Sequence, residues 1–159
     1  MLYKNFLKKV IQIFTIIACS FILSFTSFAA GGGGDDKKST GTKSNYYYDA
    51  VKLINNKSYE AAVDKLLKAE KNNSNDADIY NYLGFSFRKM GNLDKAAFYY
   101  EKALTISPKH KGALEYHGRL FLMRGDKDAA QTNLAKLDKI CWLGCGEYED
   151  LKKAIVESQ

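Results

Sequence analysis

The residues of this 159-residue chain that could do chemistry are three cysteines, two histidines and a small group of acids. Cys141 and Cys145 enclose Trp142, Leu143 and Gly144, and Gly146 follows. In an oxidising compartment such a pair reads as a disulfide. The two glycines let the chain turn tightly enough for the short Cα–Cα distance that a disulfide needs. Two other chemistries fit the same residues. Thiolates are soft ligands that suit Cu(I), and a thiol pair can cycle between reduced and oxidised forms, although the Cys-x-x-Cys spacing and the βαβ setting of redox motifs are missing. His117 falls on the inward face of a helix and is expected to be a hydrogen-bonded core residue. His110 follows Pro108 at a helix start and is expected to be exposed. No third histidine and no acid pair completes a metal site with them. Glu147, Glu149 and Asp150 stand where a helix begins, a place that favours acids. There is no Gly-rich phosphate loop after a strand, no Ser-His-Asp order and no HExxH, so the chain is expected not to be an enzyme and to need no cofactor.

The elements that position these residues are helices. Tyr80, Leu83, Gly84 and Phe87 fall at i, i+3, i+4 and i+7, one face of a helix. Ala96, Tyr100, Ala103 and Leu104 mark a second helix, and Gly91-Asn92 between them is a turn signal. The pattern recurs at a period of 34: Tyr46, Tyr80 and Leu114; Ala50, Gly84 and Gly118; Leu53, Phe87 and Phe121; and Ala at 62, 96 and 130. The spacing predicts helices near 45–55, 58–72, 77–90, 93–106, 110–124 and 127–140, grouped as repeats 43–76, 77–110 and 111–144, with a cap helix over 147–156. No strand pattern is present. The outer repeats depart from the middle one: Asp49 and His117 stand in the place of Leu83, and Lys57 in the place of Gly91. Terminal repeats are expected to be atypical, because each has one unpacked side.

The stretch Tyr80-x-x-Leu83-Gly84-x-x-Phe87, Gly91, Ala96-x-x-x-Tyr100, Ala103, Pro108 resembles one unit of the tetratricopeptide repeat (TPR) family. The resemblance implies an all-α fold, a right-handed α-solenoid of three TPR helix hairpins with a C-terminal capping helix over 45–157. As a whole, the chain is similar to small exported bacterial TPR proteins that carry Asn-Tyr-Leu-Gly-Phe in the middle repeat and a Cys-x-x-x-Cys near the end. In such proteins the first helix of each hairpin lines a concave groove through positions 2, 5, 9 and 12 of the repeat. The matching residues here are Tyr47, Val51 and Ile54; Asp78, Asn81, Phe85 and Arg88; and Glu115, Arg119 and Leu122. The resemblance thus implies an aromatic and basic groove for a protein or peptide partner, with Arg119 expected beside Phe85. Tyr47 and Val51 stand where carboxylate-clamp TPRs carry Lys and Asn, so the chaperone C-termini held by those domains are not the expected ligand. The Cys-x-x-x-Cys spacing also resembles the copper site of Sco-type assembly factors, but that family has a thioredoxin-like fold and a distant His ligand.

The first residues carry a different message. Lys4, Lys8 and Lys9 precede an apolar run from Val10 to Phe28, and Ser27-Phe28-Ala29 is a cleavage signal, so residues 1–29 read as a signal peptide. Two alternatives tether the chain instead: an uncleaved anchor, or lipidation of Cys19 in the lipobox-like Ile16-Ile17-Ala18-Cys19. Each places the globular part in the periplasm or outside the cell. Residues 30–44, rich in Gly and charge, are expected to be a disordered linker. Residues 1–29 hold three lysines and no acid, so their removal takes the formal charge from +6 to +3. With only three arginines and no Arg cluster, this balance excludes a nucleic-acid-binding surface. The sequence therefore supports an exported peptide-binding scaffold with no membrane span in its mature form. Two further readings are a metal or thiol-redox module built on Cys141 and Cys145, and self-association through apolar surface at the first repeat.

Overall fold

A computed structural model describes residues 43–158. The expected signal peptide, Cys19 and all of the expected linker except Lys43 and Ser44 lie outside the described residues. Within them are seven helices and no strand: α1 Asn45–Asn55, α2 Tyr59–Asn72, α3 Ala77–Lys89, α4 Leu93–Ile106, α5 Lys111–Met123, α6 Lys127–Ile140 and α7 Gly146–Glu157. No helix of the described residues is long and apolar enough to cross a membrane.

Local signals set the helix ends. The side chains of Asp76, Asn92 and Asp126 accept hydrogen bonds from the backbone N–H groups of Asp78, Lys95 and Ala129, capping α3, α4 and α6. The turn inside each hairpin needs a left-handed residue. Gly91 and Gly125 supply it at φ 80° and 78°, and Lys57, at the same repeat position, takes φ 60° despite its side chain. Expected bounds such as 110–124 shrink to Lys111–Met123 because the flanking residues are caps.

Helix pairs α1–α2, α3–α4 and α5–α6 form three stacked hairpins. The first helices touch in succession, α1 to α3, α3 to α5 and α5 to α7, whereas no two of α2, α4 and α6 bring Cα atoms within 8 Å. The stack therefore curves, with the first helices on its inner, concave side. Close approach is built into α3, where a Cβ on Gly84 would lie 2.6 Å from the Tyr100 ring. Gly118, one repeat on, meets a different neighbour: its added Cβ would lie 2.6 Å from Leu151 of α7. The cap helix continues the period, since Tyr148, Leu151 and Ile155 lie 34 residues after Leu114, His117 and Phe121. It occupies the place of the first helix of a fourth repeat. Tyr80, Leu83, Tyr100, Leu114, Leu120 and Leu151 are fully buried along this axis, each contributing on the order of 2 kcal/mol.

Candidate functional site

The concave side carries a cleft of about 600 Å³ between α3, α5 and α7, lined by Asp78, Asn81, Tyr82, His110, Glu115, Tyr116, Glu147 and Asp150, with Gly112 and Gly146 at its edges. Of the groove residues expected from the sequence, Asp78, Asn81 and Glu115 line it. Tyr47 is buried instead, its ring 5.8 Å from that of Tyr82 and covered by Lys43 Nζ at 4.0 Å. Phe85 and Arg88 are half-buried on the shelf beyond. The ring that meets Phe85 across the repeat boundary is Tyr116, with centroids 5.0 Å apart. Arg88 lies over both rings, at 5.4 Å and 5.6 Å, and its Nε donates to the Tyr100 hydroxyl. Arg119 turns from the expected aromatic contact to its own helix: Nε donates to Glu115 Oε1 at 2.8 Å and Nη2 to the carbonyl of Asp150. Leu122 packs against the cluster formed by Leu114, Leu137 and Leu151.

The cleft is acidic. Nδ1 of His110 accepts from Ala113 N–H, which leaves Nε2–H to donate to Asp78 Oδ1 at 2.9 Å, so this side chain is the cap of α5 and not an exposed group. Lys43, at the end of the expected linker, is docked as well, with Nζ 3.1 Å from Asp76 Oδ2 and 2.5 Å from Asp78 Oδ2. The His110 hydrogen bond, with Lys43, holds the Asp78 carboxyl well below the usual carboxylate range. Glu115 moves the other way. Its burial, together with the Asp150 and Glu147 carboxylates, pushes it up against the opposing pull of Arg119. Of the three carboxylates at the α5–α7 end, Glu115 is the one that Arg119 pairs with. Beside them the side-chain oxygen of Asn81, a residue only 5% exposed, has no hydrogen-bond partner. A buried acceptor without a donor is disfavoured, so the cleft is short of a donor and of positive charge.

Residues 77–110 match the tetratricopeptide repeat model. That TPR is the hairpin α3–α4, the centre of the stack. No curated protein matches the chain. Solved structures of similar fold include the Yersinia enterocolitica type III secretion chaperone SycD in complex with a peptide of the translocator YopD. It is 18% identical over 71% of this chain and 86% of that chain, with a TM-score of 0.62. The Arabidopsis OM64 TPR domain aligns over 72% of this chain and 93% of that chain at 16% identity and a TM-score of 0.64. The first TPR of Spaghetti bound to the HSP90 peptide SRMEEVD aligns over 70% and 89% at 11% identity and a TM-score of 0.63. At these identities the likeness is one of fold, an all-α helical repeat.

Outside this cleft, Cys141 and Cys145 lie at disulfide distance with Cα atoms 5.5 Å apart, in the loop that joins α6 to α7. Gly144 there takes φ 87°. Trp142 and Leu143 project from this loop, 82% and 81% exposed, a feature that the sequence reading did not single out. Among the described residues no three His, Cys, Asp or Glu side chains converge as metal ligands. His117 is buried as expected and stacks on Phe121 at 4.2 Å, but it is not hydrogen-bonded as expected: its Nε2 has no partner.

Proposed function

We propose that this chain is a non-catalytic, exported TPR adaptor that holds a basic peptide segment of a protein partner in its concave cleft. The observation that carries the reading is the unpartnered, buried oxygen of Asn81 beside the carboxylates of Glu115, Glu147 and Asp150. An ammonium or guanidinium supplies the missing donor and the missing charge together. The rings of Tyr82 and Tyr116 on the same wall offer faces for a cation or for a flanking apolar side chain. Peptide complexes of the similar folds SycD and Spaghetti support a peptide as the ligand. The acidic peptide SRMEEVD of the latter has the wrong charge for this cleft. The Cys141–Cys145 pair acts as a disulfide that holds α7, and hence Glu147 and Asp150, against α5.

Fluorescence anisotropy with a labelled heptapeptide of alternating Lys and Leu, and with its Glu and Leu counterpart, tests the reading. The basic peptide binds, the acidic one does not, and added salt weakens binding. Glu147→Gln with Asp150→Asn weakens it about tenfold or more. The like-charged control on the second helices, Glu101→Gln with Asp128→Asn, does not. Equal losses from both pairs, or preference for the acidic peptide, defeats the proposal.

A further inference from the structure

The convex side carries a second cleft, of about 470 Å³, between α4 and α6 with His117 and Phe121 of α5 as its floor. The equivalent gap one repeat earlier contains what this one lacks. There the Tyr99 ring stacks on Phe87, with centroids 5.4 Å and planes 1° apart, and Lys95 Nζ lies 5.1 Å from the centre of the Phe87 ring. Thirty-four residues on, Phe121 repeats Phe87, but Asn133 stands for Tyr99, Ala129 for Lys95 and His117 for Leu83. The third repeat has therefore lost a ring and the cation over it, and has gained a polar atom on the floor. No described residue hydrogen-bonds that atom. His117 is 6% exposed and its Nε2 is without a hydrogen bond. The amide of Asn133 donates to the Leu114 carbonyl, and the hydroxyls of Thr105 and Thr132 donate to carbonyls of their own helices.

We propose that this cleft binds a phenolic ring, which stacks on Phe121 as Tyr99 stacks on Phe87 and exchanges a hydrogen bond with His117 Nε2. The missing group is one tyrosine side chain, so a single ring is the right size. A hydroxyl matches the floor better than a hydrocarbon, because it can donate or accept whichever imidazole nitrogen holds the proton. Burial keeps that imidazole neutral near pH 7, and Lys136 and Arg124 reinforce it, so a neutral partner suits it. The same ring arrives either on a small free phenol or on a tyrosine of a protein partner.

With two histidines in the chain, imidazole signals in proton NMR resolve the question. Titration with p-cresol should shift the His117 signals saturably, leave those of His110 in place, and give a Kd about 2- to 10-fold below that for toluene. Asn133→Tyr returns the residue of the second repeat and should abolish the response. Ala129→Lys, which re-covers Phe121 from the rim, should weaken it and serves if the first variant does not fold. His117→Leu removes the reporter imidazole, so it is followed through the ring signals of Phe121, and it should make p-cresol and toluene equal. A blocked pentapeptide with a central tyrosine separates the two sources: binding of both probes points to a partner's tyrosine, and p-cresol alone to a free phenol. No saturable shift, equal affinity of the parent chain for toluene, or an undiminished response in both filling variants would overturn the site.

Discussion

His117 shows how one residue couples packing to solution conditions. An imidazole in the unfolded chain takes up its proton near pH 6.5. In the fold, burial, with Lys136 and Arg124 nearby, lowers this to about 4. The unfolded state therefore binds more protons between these values, and the contribution is complete above pH 6.5 and is lost as pH falls from 6.5 toward 4. His117→Leu, which restores the residue type of Leu83, should shrink the difference in unfolding free energy between pH 7.5 and pH 4.5 by about 2 kcal/mol. Urea denaturation at both pH values measures it, and an unchanged difference would mean that the imidazole is reached by water. Glu115, raised by burial and by the acids of α7, titrates in the opposite sense: its unfavourable contribution is relieved as it protonates. Lys57 is a second residue-scale exception, since it holds a left-handed turn that its repeat equivalents give to glycine.

At the scale of the element, α7 decides the shape of the concave cleft. It packs on α5 and α6, is keyed to Gly118 by Leu151, and brings Glu147 and Asp150 to the wall opposite Asn81. The Cys141–Cys145 pair closes a loop of few residues, so its entropic contribution should sit at the low end of about 2–4 kcal/mol. Cys145→Ser should accordingly speed amide exchange in α7 about tenfold or more, while α3 and α4 keep their protection. Loss of protection throughout the stack on this substitution would show that the loop supports the whole fold and not the cap alone. Because α7 carries two of the cleft's carboxylates, the same variant should also weaken the basic peptide.

The described residues form a short curved stack with two dissimilar sides. Its concave side is acidic and lacks a donor, whereas its convex side has one aromatic-filled gap and one open gap. Each hairpin touches only its neighbours, but both clefts use α5, and its Tyr116 and His117 both pack on Tyr100, so substitutions at these two residues should couple rather than add. Export belongs to this scale too. The lysine-led apolar run before Ala30 supports a cleaved leader, and sequencing the mature protein should find Ala30 first. A lipidated Cys19 or a retained Met1 would replace secretion with a membrane tether, leaving the helical stack on the same side of the membrane.

The helices, their grouping and the period of 34 follow from the amino-acid order alone. Caps such as Asp76 and Asn92, turns such as Gly91, and the apolar spacing from Tyr80 to Phe87 all act within a few residues, so they are legible without a fold. That order also sets which residue types recur, and the change from Tyr99 to Asn133 was present in the repeat pattern for the taking. How side chains pair across helices is set when the helices stack. The periodicity placed Arg119 on the groove face, but the choice between Phe85 and Glu115 depended on rotamers and on where α7 docks. Tyr47 met the spacing of a groove residue and was buried by Tyr82 and Lys43, the latter from a segment with no apolar pattern to place it. His110 looked exposed until Asp78, 32 residues earlier, was brought to its Nε2. Charge and hydrogen bonding in both clefts come from helices that are neighbours only after stacking, and no local rule reports which polar atoms that stacking leaves without a partner.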